Sequence, residues 1–172
     1  MKRALIVVGI VWGVILVGLV ASKEFTLRSG HTILLETVPV DPRDLFRGDY
    51  VILRYPLSTL DLTHLPTDRP GFSVGDHLYV VLSLQGHHPI PLRIESHPPH
   101  DHSFFLQGTV ISQHDTRLTV EYGIESYFVP EGDGRMLEQA RGKGLEVQAV
   151  VDRFGHAVIK QLLVNGQPLG RR

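Results

Sequence analysis

Residues 145–164 read LEVQAVVDRFGHAVIKQLLV, and this stretch decides the fold class of the chain. Two runs rich in valine and leucine, 145–151 and 157–164, flank five residues that include Asp152 and Gly155. β-Branched residues favour strands, and a short loop with glycine between two such runs is typical of a β-hairpin. The stretch therefore predicts two antiparallel strands.

The same pattern recurs through the chain beyond residue 30. Alternating apolar and polar residues predict strands over 32–38, 50–55, 78–84, 90–94, 104–112, 118–122 and 127–130. Asn165 and Gly166 mark one further turn. Only residues 134–141 favour a helix in this part, with Gly142 as its stop. We expect a mainly β fold, an antiparallel sandwich or barrel of about eight strands with one short helix.

Composition excludes several classes of protein. The chain has 172 residues, of which 42% are apolar, so it is long and apolar enough for one folded domain. Its 17 basic and 18 acidic residues give no basic stripe, and we expect no nucleic-acid partner. It has no cysteine, which excludes disulfides, thiolate metal sites and cysteine nucleophiles. We expect no cofactor.

An uncharged apolar run precedes the β region. Ala4–Ala21 contains 18 residues without a charge, and as a helix it would be about 27 Å long, close to the thickness of a bilayer core. Gly9 and Gly13 have the GxxxG spacing that lets two membrane helices approach closely, although glycine is also simply common in such helices. A cleaved signal peptide is the rival interpretation, but no A-x-A site follows the run. The sequence favours a retained single-pass anchor, in contact with the lipid bilayer through residues 4–22.

Flanking charges predict the orientation of this anchor. Lys2 and Arg3 precede the run, whereas Lys23 and Glu24 cancel after it. The positive-inside rule then places the N-terminus in the cytoplasm. We expect residues 1–22 to form the anchor and residues 23–172 to form a periplasmic or extracellular β domain.

A second distinctive segment, residues 38–55, reads VPVDPRDLFRGDYVILRY. Its prolines and Gly48 predict a rigid turn that Asp49 can cap. Alternation in the strand that follows puts Tyr50 on one face and Leu53 and Tyr55 on the other, so at least one tyrosine should be buried with its hydroxyl paired. The docking candidates are Arg43, Asp44, Phe46 and Arg47, with the arginines as bidentate donors and Phe46 as an apolar anchor. The alternative is that the arginines only pair with Asp41, Asp44 and Asp49 within the domain.

These residues resemble a known family. Gly48, Asp49, Tyr50, Leu53 and Tyr55 fit the signature of the GDYXXLXY family of bacterial membrane-anchored proteins. The run upstream of Gly48 and the later segment 127–138 are similar to that family too. The resemblance implies an anchored extracytoplasmic domain, often encoded beside multi-spanning membrane proteins, and it implies no activity.

Catalytic patterns are absent from the sequence. It contains no G-x-S-x-G, no P-loop, no G-x-G-x-x-G and no H-E-x-x-H. Five of its 10 histidines fall within residues 87–102, and this stretch also holds four prolines. His97, His100 and His102 are the candidate metal ligands, although an exposed, proline-stiffened loop accounts for them as well.

Two functions compete on these observations. The first is a non-enzymatic accessory subunit that docks onto a multi-spanning membrane protein. The second is an exported metal-binding or hydrolytic domain that uses the histidine-rich loop. Docking through residues 39–55 near the membrane would need an out-and-back hairpin over residues 26–38, because one extended strand would carry the segment away.

Overall fold

A long helix precedes a body made of strands. The computed structural model describes residues 2–38, 50–128 and 144–169, without the side chains of residues 2–5, 8, 22, 25, 26, 29 and 50. Helix α1 covers Lys2–Ser29. Arg28 Nε donates to Glu24 Oε1 at 2.8 Å, and pairs with this spacing stabilise a helix. The helix continues past residue 22, the predicted boundary between anchor and β domain.

The apolar part of α1 is exposed on all sides. Every described side chain from Ile6 to Ala21 is exposed, including Trp12 at 61% and Val17 at 69%. A Cβ atom added at Gly9 or Gly13 would meet nothing within 4 Å. Within the described residues, no helix meets the combined requirements of length and hydropathy for a membrane span.

The described residues beyond α1 form 11 strands in three antiparallel sheets. The strand order is β1-β9-β10-β11 in the first sheet, β2-β8 in the second and β3-β7-β6-β4-β5 in the third. A single turn of 3-10 helix, Pro56–Ser58, joins β2 to β3. The strands are β1 His31–Glu36, β2 Tyr50–Ile52, β3 Thr59–Asp61, β4 His77–Ser83, β5 Ile90–Glu95, β6 Phe105–His114, β7 Arg117–Glu121, β8 Ser126–Phe128, β9 Leu145–Val151, β10 Ala157–Val164 and β11 Gln167–Pro168.

The β9–β10 hairpin has the bounds that the sequence predicts. Its turn is closed by Asp152, whose amide donates to the carbonyl oxygen of His156 at 3.0 Å. Gly155 has φ +86° and accepts a hydrogen bond from the amide of Gln107 in β6 at 2.9 Å. A Cβ atom there would lie 2.7 Å from the Phe105 ring. Gly155 thus holds the turn of one sheet against a strand of another.

All three sheets contribute side chains to one hydrophobic cluster. In β4 the inward positions Leu78, Val80 and Leu82 are buried, as the alternation of apolar residues predicts. The first sheet contributes Ile33, Leu35, Val147, Ala149, Val151, Ala157 and Leu162 to the same cluster. The prediction of a mainly β fold with antiparallel sheets and a helix is therefore confirmed.

Several local predictions have different outcomes. The short strands β3 and β11 were missed, and the predicted helix over 134–141 lies outside the described residues. Of the two paths considered for residues 26–38, the structure has a single strand and not an out-and-back hairpin, because α1 ends at Ser29 and β1 is one strand paired with β9. The chain thus passes from the helix into one extended strand that precedes the motif.

Candidate functional site

The second half of the motif segment, residues 51–55, contributes to the core. Val51, Leu53 and Tyr55 are buried, whereas Ile52 and Arg54 face outward, as the predicted alternation requires. The Tyr55 hydroxyl donates to the carbonyl oxygen of Ile124 at 2.6 Å. The prediction that at least one motif tyrosine is buried with its hydroxyl paired is therefore confirmed.

A second tyrosine repeats this bond in the opposite direction. The Tyr122 hydroxyl donates to the carbonyl oxygen of Leu57 at 2.8 Å, so the segments 55–57 and 122–124 each hold the other. We call Tyr55 and Tyr122 the tyrosine clasp. Burial, together with the Glu125 carboxylate, raises the pKa of both phenols well above the ordinary value. Both clasp hydroxyls therefore stay protonated and act as donors at neutral pH.

The clasp supports one wall of an open groove with a volume of about 420 Å³. Apolar side chains form most of its surface. The lining residues are Leu35, Tyr55, Pro56, Leu57, Thr59, Leu60, Leu65, Pro89, Ile90 and Pro91, with Glu36, Asp61, His64 and His88 as polar members. No lysine or arginine lines it among the described residues.

The polar members of the groove give it an acidic rim. Asp61 accepts a hydrogen bond from the Thr63 amide at 2.9 Å. This bond lowers the pKa of Asp61 below its ordinary value, so the carboxylate is ionised at neutral pH. Glu36 lies on β1 with 61% of its side chain exposed. The groove thus combines apolar walls with two carboxylates.

Histidines 97, 100 and 102, the metal ligands suggested by the sequence, do not come together. Among the described residues, the one group of histidines and carboxylates with metal-ligating spacing contains none of these three. Asp101, which separates two of them, accepts from Arg93 at 2.7 Å and from the Ser103 amide at 3.1 Å. This carboxylate already has a cation beside it, so the interpretation of this loop as a metal site gains no support.

That loop lies instead beside the exit of α1. Pro98, Pro99 and His102 line a second open cavity of about 450 Å³ together with Gly30 and His31, the residues that follow the helix. His102 has a left-handed φ of 58°. The histidine-rich loop is therefore adjacent to the end of α1.

A different group of ligands lies at the groove rim. His87, His88 and Glu146 place one nitrogen or oxygen atom each within 4.8 Å of one another. His88 Nε2 lies 2.7 Å from Glu146 Oε1, and His87 Nε2 lies 3.3 Å from the same oxygen. Sequence reasoning missed Glu146, which stands 58 residues from His88 in the chain. The adjacent pair of histidines was the available signal.

The remaining residues proposed from the sequence lie outside this description. Gly48 and Asp49 of the motif fall in the undescribed range 39–49, as do the docking candidates Arg43, Asp44, Phe46 and Arg47. Tyr50 is described as the first residue of β2, without its side chain. A comparable Gly-Asp pair is visible before β4, where Gly75 has φ +89° and Asp76 accepts from the Ser73 amide at 2.9 Å.

Comparison with known proteins identifies the family. The family model described as GDYXXLXY protein matches residues 12–162, most of the chain, and the chain belongs to this family. No curated protein and no solved structure matches it. The resemblance that the motif residues suggest is therefore confirmed.

Proposed function

We propose that this protein is a membrane-anchored accessory subunit whose β body lies outside the cytoplasm and docks onto a multi-spanning membrane protein. The observation that carries the proposal is the all-round exposure of the apolar part of α1. Eighteen uncharged residues, from Ala4 to Ala21, cover about 27 Å of helix without a covering strand or loop over their described side chains. Lipid is the solvent in which such a surface is stable.

Orientation follows from the charges beside this helix. Lys2 and Arg3 stand at one end of the apolar run, and the opposite charges of Lys23 and Glu24 stand at the other. The positive-inside rule therefore favours a cytoplasmic N-terminus. The β body then lies in the periplasm or outside the cell, attached by a single span.

The groove beside the tyrosine clasp is the surface that we propose for docking. Its apolar walls and its carboxylates, Glu36 and Asp61, favour a partner segment that presents apolar side chains and a lysine or arginine. The docking candidates Arg43, Asp44, Phe46 and Arg47 follow Val38 in the chain. The Val38 amide donates to the Arg54 carbonyl oxygen at 2.9 Å, next to the groove residue Tyr55.

The distance from the membrane restricts the kind of partner. Residues 22–29 add about 12 Å of helix, and the rise of β1 from His31 to Glu36 adds about 17 Å. The groove therefore lies at most about 30 Å beyond the apolar run. An extramembrane loop of a multi-spanning protein fits this distance.

Photo-cross-linking in intact cells tests this docking. A photoreactive residue replaces Ile90, a groove residue that is 59% exposed, and a matched one replaces Val74, which is 73% exposed and lies outside the groove. We expect the Ile90 probe to cross-link to one multi-spanning membrane protein and the Val74 probe not to do so. Adding Phe46→Ala and Arg47→Ala should abolish that product without changing the melting temperature. Equal products from both positions, or none from Ile90, would contradict docking through the groove.

A further inference from the structure

We propose that His87, His88 and Glu146 form a binding site for a divalent first-row metal ion, with Zn²⁺ as the first candidate. Nothing in the proposed docking function requires this site. The two imidazoles come from the loop between β4 and β5, and the carboxylate comes from β9, so an ion there would join the third sheet to the first. Imidazole and carboxylate are among the ligands that zinc takes in proteins.

Charge gives the first reason for an ion at this position. Glu36 and Glu146 are directly paired across β1 and β9, and like charges in opposite positions destabilise a sheet. Among the described residues, both carboxylates have only histidines as ion-pair partners. By contrast, the carboxylates of Glu95 and Asp101 share Arg93 at 2.6 and 2.7 Å. A divalent cation would remove the repulsion between the two glutamates.

Geometry gives the second reason. Two ligands at about 2.0–2.1 Å from a tetrahedral zinc ion stand about 3.3 Å apart. The distance between His87 Nε2 and Glu146 Oε1 is 3.3 Å already, and the 2.7 Å hydrogen bond between His88 and Glu146 needs only a small opening. Glu146 is the anchored member, with 14% of its side chain exposed.

A second carboxylate lies near one of the imidazoles. His88 Nδ1 faces Glu36 Oε2 at 4.0 Å, on the side of the ring away from Glu146. Metal-bound histidines usually donate their other ring N–H to a carboxylate, which fixes the tautomer and strengthens the ligand. Glu36 would have to approach the ring by about 1 Å to accept that proton. The proposed site therefore has three ligands and a second carboxylate beside one of them, and a tetrahedral ion would take its fourth ligand from solvent.

Calorimetric titration of the full-length, untagged chain in detergent, after removal of metal by a chelator, tests the site. Zn²⁺ alone is the probe, and we expect one ion per chain and a higher melting temperature with zinc. His87→Ala, at a side chain that is 74% exposed, and Glu146→Gln should each weaken binding by at least about tenfold. Glu36→Gln should weaken it by about tenfold as well, without changing the stoichiometry.

The histidine-rich loop provides the matched control. A chain with His97→Ala, His100→Ala and His102→Ala loses three histidines and should bind one zinc ion with unchanged affinity. Metal-free melting temperatures of all variants separate lost ligands from lost folding. The site is wrong if zinc binds without saturation, if both His87→Ala and Glu146→Gln bind as the parent chain does, or if only the triple variant loses the ion.

Discussion

The helix and the β body are built from the same apolar residue types but use them in opposite ways. Val17 in α1 is 69% exposed, whereas Val80 in β4 is fully buried. In the body the period-2 pattern puts every second side chain into the shared core, so the protein itself covers them. In the helix the apolar residues continue around the whole circumference, and no single protein face could cover them. On our proposal this difference reflects two solvents for one chain, lipid for the helix and water for the body.

Truncation of a clasp tyrosine should show the largest difference between the two regions. Tyr55→Ala removes a buried ring and the hydroxyl that holds Ile124, and we expect a loss of about 3–5 kcal/mol in the free energy of unfolding. Trp12→Ala removes a larger ring from the exposed helix and should leave that free energy unchanged. Urea denaturation of both variants in detergent measures it. Equal losses would mean that the helix packs against the body.

Substitutions at two glycines of the body distinguish the cost of a steric clash from the cost of backbone strain. Gly155→Ala places a Cβ atom 2.7 Å from the Phe105 ring at φ +86°, and we expect a loss of about 2–3 kcal/mol. Gly166→Ala has nearly the same strain, φ +78°, but meets nothing within 4 Å and should cost about 1 kcal/mol. Thermal melts compare them. A Gly155→Ala chain no less stable than Gly166→Ala would contradict the contact between the β9–β10 turn and β6.

Acidification should weaken the body by a smaller amount. Hydrogen bonds from Ser103, with the Arg93 guanidinium, lower the pKa of Asp101 to about 2. Since the unfolded value is about 3.9, the native state binds fewer protons, and the stabilisation is present above pH 4 and lost as the pH falls toward 2. Asp101→Asn should therefore be less stable at pH 7 and lose less stability between pH 4 and pH 2 than the parent. Parallel curves over that range would contradict this contribution.

The features that could be predicted from the sequence are those whose residues are neighbours in the chain. The β9–β10 hairpin was predicted with its bounds because its turn residues and both strands are neighbours in the chain. Strand β3 was missed because three residues, Thr59–Asp61, are too short to show alternation. The group of His87, His88 and Glu146 was missed because sheet register and packing bring Glu146 to His88. Their spacing in the sequence does not indicate this contact.

In the motif, too, the local pattern was predictable and the contacts with distant segments were not. Alternation correctly placed Leu53 and Tyr55 on one face, since a strand fixes which side chains share a face, but it did not say which face is buried. It gave no indication that Tyr122 would return the bond of Tyr55, because that contact joins segments 65 residues apart. The groove could not be predicted either, since its walls come from β1, β3, the Pro56–Ser58 turn and the start of β5.

The anchoring of the helix and the external position of the body are the central claim, and cysteine labelling tests them most directly. The chain has no cysteine, so Lys2→Cys and Val74→Cys each create a single thiol, and the proposed topology puts the two thiols on opposite sides of the membrane. Intact cells are treated with a membrane-impermeant maleimide, and the membrane fraction is compared before and after lysis. We predict that Val74→Cys is labelled in intact cells and Lys2→Cys only after lysis, with both chains in the membrane fraction. Labelling of Lys2→Cys but not Val74→Cys in intact cells, or recovery of the chains without membranes, would contradict the account.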